Sequence, residues 1–435
     1  MKLLLTKLVL LLFVFQAVSI QMAQAQFLMD MVDTTKDVGK GLLSIYKKYD
    51  HIKIGGYIQS QYQQVEAKGA KSFEGGDFAT NVDNRFMLRR GRIRFDYVHF
   101  SNNTKPSVQF VFQFDGTERG VFIRDFWGRV FENNLKLFSL STGMFARPFG
   151  YELNLSSSDR ESPERGRMSQ ILMKTERDMG AMISLEPRGR NNWLHYVKID
   201  AGLFNGQGLA ATADYDSYKD FIIRANAKPF HLNKSLLFST GISYLNGGFI
   251  QNNKYVYNIA TVNGVTGFTE DSTSSKVGTR LPRKYYGADA QLKWLHANNS
   301  ATELRAEYWW GTQTANASST ETPAVLLTEP YYIRPFNGAF LYLLHSFDKH
   351  NQLGIKYDWY DPNTKLSAGE IGQANGSKAA DIRYNTMGAG YIHYFDDNLK
   401  VVAWYNWVNN EHTQLSGYTN NVKDNVFTLR MQYRF

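Results

Sequence analysis

The chain has no cysteine in 435 residues, which excludes disulfides and thiol chemistry. Prolines number only ten, so long strands can run uninterrupted. Past the first few tens of residues there is no run of eighteen apolar residues, so no transmembrane helix is expected. The nine histidines are scattered without the paired spacing of a zinc or iron site, so no metal and no cofactor is expected. The formal charge is +9, from 49 basic and 40 acidic residues, and it is not clustered. That argues against a nucleic-acid partner.

What is present is aromatic and alternating. Phenylalanine, tyrosine and tryptophan make up 14% of the chain, and the last twelve residues show how they are used. Phe427, Leu429, Met431, Tyr433 and Phe435 share one parity, and Thr428, Arg430, Gln432 and Arg434 share the other. A strand so patterned has one apolar and one polar face. In an outer-membrane barrel the apolar face meets lipid and the polar face a watery lumen. A terminal aromatic residue is also a common assembly signal of such barrels.

The other end predicts export. Lys2 and Lys7 precede the apolar run Leu8 to Phe15, and Ala23-Gln24-Ala25 is a small-x-small cleavage site. Residues 1–25 therefore read as a signal peptide. Those two lysines are its only charges, so 47 basic against 40 acidic residues leave the mature chain at +7. Residues 26–50 form a separate periplasmic segment. Leu28, Met31, Val32, Val38, Leu42, Ile45 and Tyr46 recur at helical spacing, predicting a short amphipathic helix or a loosely ordered leader.

From residue 51 to 435 about sixteen strands can be read, an all-β, antiparallel transmembrane barrel. Tight turns such as Glu132-Asn-Asn134, Ala297-Asn-Asn299 and Asp396-Asp-Asn398 separate them at one end. Long polar segments, 66–83, 147–177, 247–282, 315–330, 361–381 and 411–423, separate them at the other. Short periplasmic turns and long extracellular loops give this alternation. A closed ladder also pairs every backbone group in lipid. The expected location is the outer membrane of a Gram-negative bacterium, with lipid around the wall.

Parity then sorts the lumen. Arg90, Arg92 and Arg94 face inward at spacings of two, roughly 7 Å apart along the wall. Arg224 and Lys228 join them from a later strand, and Arg305 from another. Arg124 resists sorting, sharing parity with Phe122 and Phe126, which suggests a bulge. Such a wall could select anions, because a guanidinium is always charged and offers paired donors. Alternatively, these arginines pair with Asp96, Asp115 and neighbouring acids in an ordinary polar wall. The long segment 147–177 is the expected constriction loop. It carries Arg147, Arg160, Arg165, Arg167, Lys174 and Arg177 against Glu152, Asp159, Glu161, Glu164 and Glu176. Near balance of charge suits a general porin as well as an anion channel.

Four segments carry a family resemblance: Gly55-Gly-Tyr-Ile-Gln-Ser-Gln-Tyr62, Leu88-Arg-Arg-Gly-Arg-Ile93, Val121-Phe-Ile-Arg-Asp-Phe126 and Gly143-Met-Phe-Ala-Arg-Pro-Phe-Gly150. In order and spacing the chain resembles the phosphate-selective porin O and P family of outer-membrane channels, most strongly over 52–185. The resemblance implies a 16-stranded barrel, usually a homotrimer, that passes small anions by diffusion. It also implies an arginine ladder for phosphate or polyphosphate, on which Arg90, Arg92 and Arg94 would sit. The family's lysine cluster has no residue-by-residue match here.

Two other functions compete with an anion-preferring or non-selective porin. An enzyme needs a nucleophile with a base in reach, and Ser156 to Ser158 lie beside Asp159 and Arg160 with no nearby histidine. No enzyme is expected. A barrel whose long loops bind a surface partner is the other alternative.

Overall fold

Period-2 alternation puts every second side chain of a strand into lipid, and a sheet that does this must close on itself. The computed structural model describes residues 52–101, 105–188, 193–211 and 213–435. The signal peptide and the helix expected at 27–48 lie outside the described residues. Along the chain come β1 (Ile52–Val65), β2 (Asn84–Ser101), β3 (Lys105–Thr117), β4 (Gly120–Phe131), β5 (Phe138–Ala146), a short helix α1 (Arg167–Leu172), β6 (Arg177–Leu185), β7 (Val197–Phe204), β8 (Asp220–Asn233) and β9 (Leu236–Ile250). There follow β10 (Val256–Val262), β11 (Val265–Asp271), β12 (Arg280–Leu295), β13 (Ala301–Ala315), β14 (Tyr331–Ser346), β15 (Asn351–Asp361), β16 (Tyr384–Tyr394), β17 (Leu399–Asn410) and β18 (Val426–Arg434).

Sixteen of these make the wall, each antiparallel to its neighbours. The seam closes where β18 pairs with β1, from Tyr57 opposite Arg434 to Val65 opposite Val426. The expected barrel is therefore observed, with one addition. Segment 247–282, read as a loop, holds the hairpin β10–β11, turned at Asn263-Gly264 with both residues at positive φ. An Asn-Gly pair is the standard two-residue hairpin turn. The hairpin stays outside the wall, because β9 pairs directly with β12. It leans instead on the outer end of β14, with Val256 opposite Tyr331.

Two bulges re-aim arginines. Gln113 pairs with Asp125 while the next residue, Phe114, pairs with Ile123, which leaves Arg124 as the extra residue. The parity conflict at Arg124 is thus a bulge, as expected. A second bulge was not foreseen: Gln59 pairs with Arg90 but Ser60 with Leu88, so Arg89 is extra.

The outer surface carries the apolar parity, with Ile54, Ile93, Ile183, Leu304 and Met431 all exposed. Trp294, Phe347, Phe395 and Phe435 stand at the short-turn rim, and Phe86, Trp310 and Trp407 toward the other. Aromatic girdles flanking an apolar band are how such barrels meet the two membrane interfaces.

The lumen departs from the expectation of a water-filled polar interior. An apolar core sits inside the barrel: Trp309, Tyr285, Phe204, Ile222 and Leu245 point inward and pack on Phe149, Leu153, Leu172 and Met173 of the segment between β5 and β6. The reason is visible in retrospect. Leu203-Phe204, Phe221-Ile222-Ile223 and Trp309-Trp310 are apolar on both parities, the mark of strands buried on both faces.

Candidate functional site in the lumen

The connection 147–176 turns into the barrel at Gly150. This residue is left-handed (φ +66°), and a Cβ there would run into the Glu307 carboxylate. Only glycine fits such a conformation so close to another group. The Gly150 amide donates to Ser243 Oγ (3.0 Å). The next two amides, of Tyr151 and Glu152, donate to the two carboxylate oxygens of Glu307 (2.9 and 2.7 Å). Glu152 then braces the loop from within, accepting from the Gly166 amide (2.9 Å) and Ser169 Oγ (2.7 Å) at the start of α1.

The loop is bonded to opposite walls. On the β18–β1–β2 side, Glu164 is 3% exposed and takes three guanidiniums: Arg90 (2.6 Å), Arg89 (2.9 Å) and Arg430 (2.8 Å). Nearby, Ser157 Oγ bonds the Tyr57 hydroxyl (2.6 Å) and accepts from Arg92 Nη1 (2.8 Å). Lys400 Nζ donates to the carbonyls of Ser158 (2.8 Å) and Arg160 (3.1 Å). Across the lumen stand the bonds to Ser243 of β9 and Glu307 of β13, and between the two sides Arg305 of β13 forks onto Glu161 (2.8 and 3.0 Å) and Lys356 of β15 lies between Glu152 (3.6 Å) and Asp358 (3.4 Å). The loop thus spans the lumen.

What it leaves open is a cavity of about 480 Å³ between its 148–160 face and the wall of β1–β8, in the short-turn half. Ten basic residues line it against four acidic ones, Asp125, Asp159, Glu176 and Asp200. The wall acids Asp115 and Asp289 sit behind Arg92 (2.9 Å) and Arg224 (2.6 Å) and take up part of that charge. Among the side chains that line the cavity, basic groups remain in excess. A second cavity of about 160 Å³ lies toward the long-loop end, beside Arg147, Lys174 and Glu321.

The arginines expected in the lumen divide accordingly. Arg92, Arg94, Arg124, Arg160, Arg177 and Arg224 line the larger cavity. Arg94 is forked onto Asp96, Arg124 reaches Glu176 (2.5 Å), and Arg177 opens β6 and pairs with Asp125 (3.1 Å). Arg90 and Arg305 do not line the cavity; their guanidiniums hold the loop. Arg147 donates to the Thr175 carbonyl, and Lys228 pairs with Glu186 (2.5 Å) low on the wall. Within the loop, Arg165 donates to the Ser169 carbonyl (3.0 Å), and Arg167 lies over the Tyr384 ring (3.7 Å) and the Phe73 ring (4.4 Å). Lys174 is 63% exposed at the long-loop end, paired with Glu321. Of the six basic residues of the expected constriction, Arg160 and Arg177 are the two that reach the cavity.

Sequence reading missed Arg89, which only the bulge turns inward, and Lys400; parity places Lys356 in the lumen but gives it no role there. Arg430 stands on the polar parity of β18, and that signal was available. Lys53, Arg129, Lys198 and Arg434 also line the cavity.

No protein-family model and no curated relative matches this chain. Solved structures do. OprB of Pseudomonas putida aligns with TM-score 0.55 at 11% identity, covering 94% of this chain and 100% of that one. The outer-membrane channel DcaP of Acinetobacter baumannii gives TM-score 0.53 at 11% identity, over 88% and 97%. An anion-selective porin from Comamonas acidovorans gives 0.51 at 11%, over 88% and 99%. At such identity the likeness is one of fold. The chain has the closed barrel fold of these outer-membrane proteins.

Proposed function

We propose that this chain is a passive outer-membrane porin that favours small anions, phosphate and polyphosphate among them. The observation that carries the reading is the excess of basic over acidic residues around the larger cavity. Fixed positive charge with low-dielectric walls raises the local concentration of anions and excludes cations. The solved neighbour described as an anion-selective porin is compatible with this but adds only its fold. The serines at 156–158 support a channel over an enzyme: Ser157 Oγ is held by Tyr57 and Arg92, and Ser158 Oγ lies among Ser156, Arg434 and the Asp159 carboxylate (3.3 Å), which is itself paired with Arg434. We further propose that residues 1–25 are removed on export and that the barrel assembles as a homotrimer. Mass measurement of the outer-membrane form and cross-linking in detergent check these two points.

The decisive experiment is the reversal potential of the purified protein in a planar bilayer across a potassium chloride gradient, followed by phosphate titration. An anion-selective potential supports the reading. A potential near zero leaves a non-selective general porin, and a closed bilayer with no current removes the porin altogether.

A further inference from the structure

We propose that the larger lumen cavity is a binding site for an organic monocarboxylate with an apolar, ring-sized body, whose carboxylate is received by Arg160. The proposal rests on the porin reading for its biological sense but not for its test.

Arg160 is a cation of the lumen without an ion pair among the described residues. It is buried, 4% exposed, and lines the cavity. Its Nε and Nη1 have neither solvent nor a hydrogen-bond partner, and no carboxylate comes within ion-pair distance of it among the described residues. Its neighbours are otherwise committed: Arg92 to Asp115, Arg177 to Asp125, Arg224 to Asp289. Glu152, which feels its charge, is occupied by Gly166, Ser169 and Lys356. The backbone of Arg160 is fixed, since its carbonyl accepts from Lys400 (3.1 Å) and its amide donates to the Ser156 carbonyl (3.2 Å). A buried charge without a partner is costly, so a guanidinium held in this way at the cavity wall favours an anion bound beside it.

The rest of the lining decides which anion. Trp127, Phe145, Pro148, Leu153, Leu155 and Met182 give one side of the cavity an apolar surface. An inorganic anion gains nothing from it and would lose water against it. A carboxylate with an aromatic or short aliphatic body buries that body there while its head meets the guanidinium. The volume of about 480 Å³ lies within the range of small-molecule sites and far exceeds what a phosphate fills.

The test is calorimetric titration of the full-length protein in detergent with 3-phenylpropionate, with 3-phenylpropanol and inorganic phosphate as comparison probes. The acid is expected to bind saturably and more tightly than either. Arg160→Gln, which keeps the backbone contacts to Lys400 and Ser156, should weaken it about tenfold or more by removing a charge-assisted pair. Heat-modifiable gel mobility reports whether that variant is folded. If it is not, Met182→Thr replaces it, and should weaken the acid while leaving any phosphate response unchanged. Equal affinity for acid and alcohol, tighter binding of phosphate, or no loss in the variant would each overturn the proposal. Because binding is read without current, a barrel that binds the acid but does not conduct sinks the porin reading alone. A barrel that conducts anions yet ignores the acid sinks this one alone.

Discussion

Two charged centres of the lumen, both on the loop between β5 and β6, are built in opposite ways. Glu164 is one carboxylate with three guanidiniums, from β2 and β18. Arg160 is one guanidinium with no carboxylate in ion-pair range among the described residues. The first fixes the loop against the wall; the second is left over for something that arrives. Both are buried arginine chemistry, and the loop charges sum nearly to zero, so net charge says nothing about which acid is saturated and which base is spare. Position in the bond network separates structure from site.

Breaking the fixed centre should have the largest effect. Glu164→Ala leaves the buried Arg90 and Arg430, with the partly buried Arg89 beside them, without their acid, a loss of about 3–5 kcal/mol for a broken buried pair. The loop should leave the β2–β18 wall, seen as a large rise in single-channel conductance and a lower temperature of heat modification. Charge on the cavity side should act on selectivity and spare the fold. Arg124→Ala removes a bulge residue facing the cavity, and the reversal potential in a salt gradient should move toward zero by a measurable fraction. If the potential is unmoved, the lining charge does not set selectivity.

A third prediction concerns pH. Glu74, in the long loop between β1 and β2, is buried, and its Oε2 has no hydrogen-bond partner. Burial, against the pull of Lys356, pushes its carboxyl up to about 7. A raised acid binds its proton more tightly in the folded loop. Its stabilising contribution is therefore complete below the ordinary glutamate value near pH 4.3 and is lost as pH rises through about 7. Trypsin cleavage after Lys68 and Lys71 should accelerate over that interval in the wild type, and Glu74→Gln should flatten the profile. The smallest effect belongs to Lys174. It is well exposed and paired only with Glu321, so Lys174→Ala should change stability by no more than about 0.5 kcal/mol and leave selectivity unchanged. A large shift there would mean that the long-loop mouth, and not the inner cavity, controls permeation.

The barrel was legible because a period of two is a local signal: all sixteen wall strands could be read, and the conflict at Arg124 located its own bulge. The hairpin β10–β11 was overlooked although Val262-Asn-Gly-Val265 advertises it, because its strands are short and polar within a long loop. The apolar filling of the lumen was written in doubled apolar residues such as Trp309-Trp310, which alternation alone treats as noise. The site itself was only half legible. Sequence named Arg160 and Glu164 as residues of one loop, but partners arriving from β2, β13 and β18 are set by closure of the sheet, and no local pattern encodes them.

That closure has a temporal meaning. The bonds around Glu164 draw on Arg90 near the start of the barrel and on Arg430 five residues from its end. The two come together only once β18 has paired with β1. Contacts between chain segments so far apart in sequence form late. Until the seam forms, the loop has one wall to hold and the lumen remains wet. The three-arginine latch therefore also serves as a record of assembly: it can be made only in a barrel whose circle is complete.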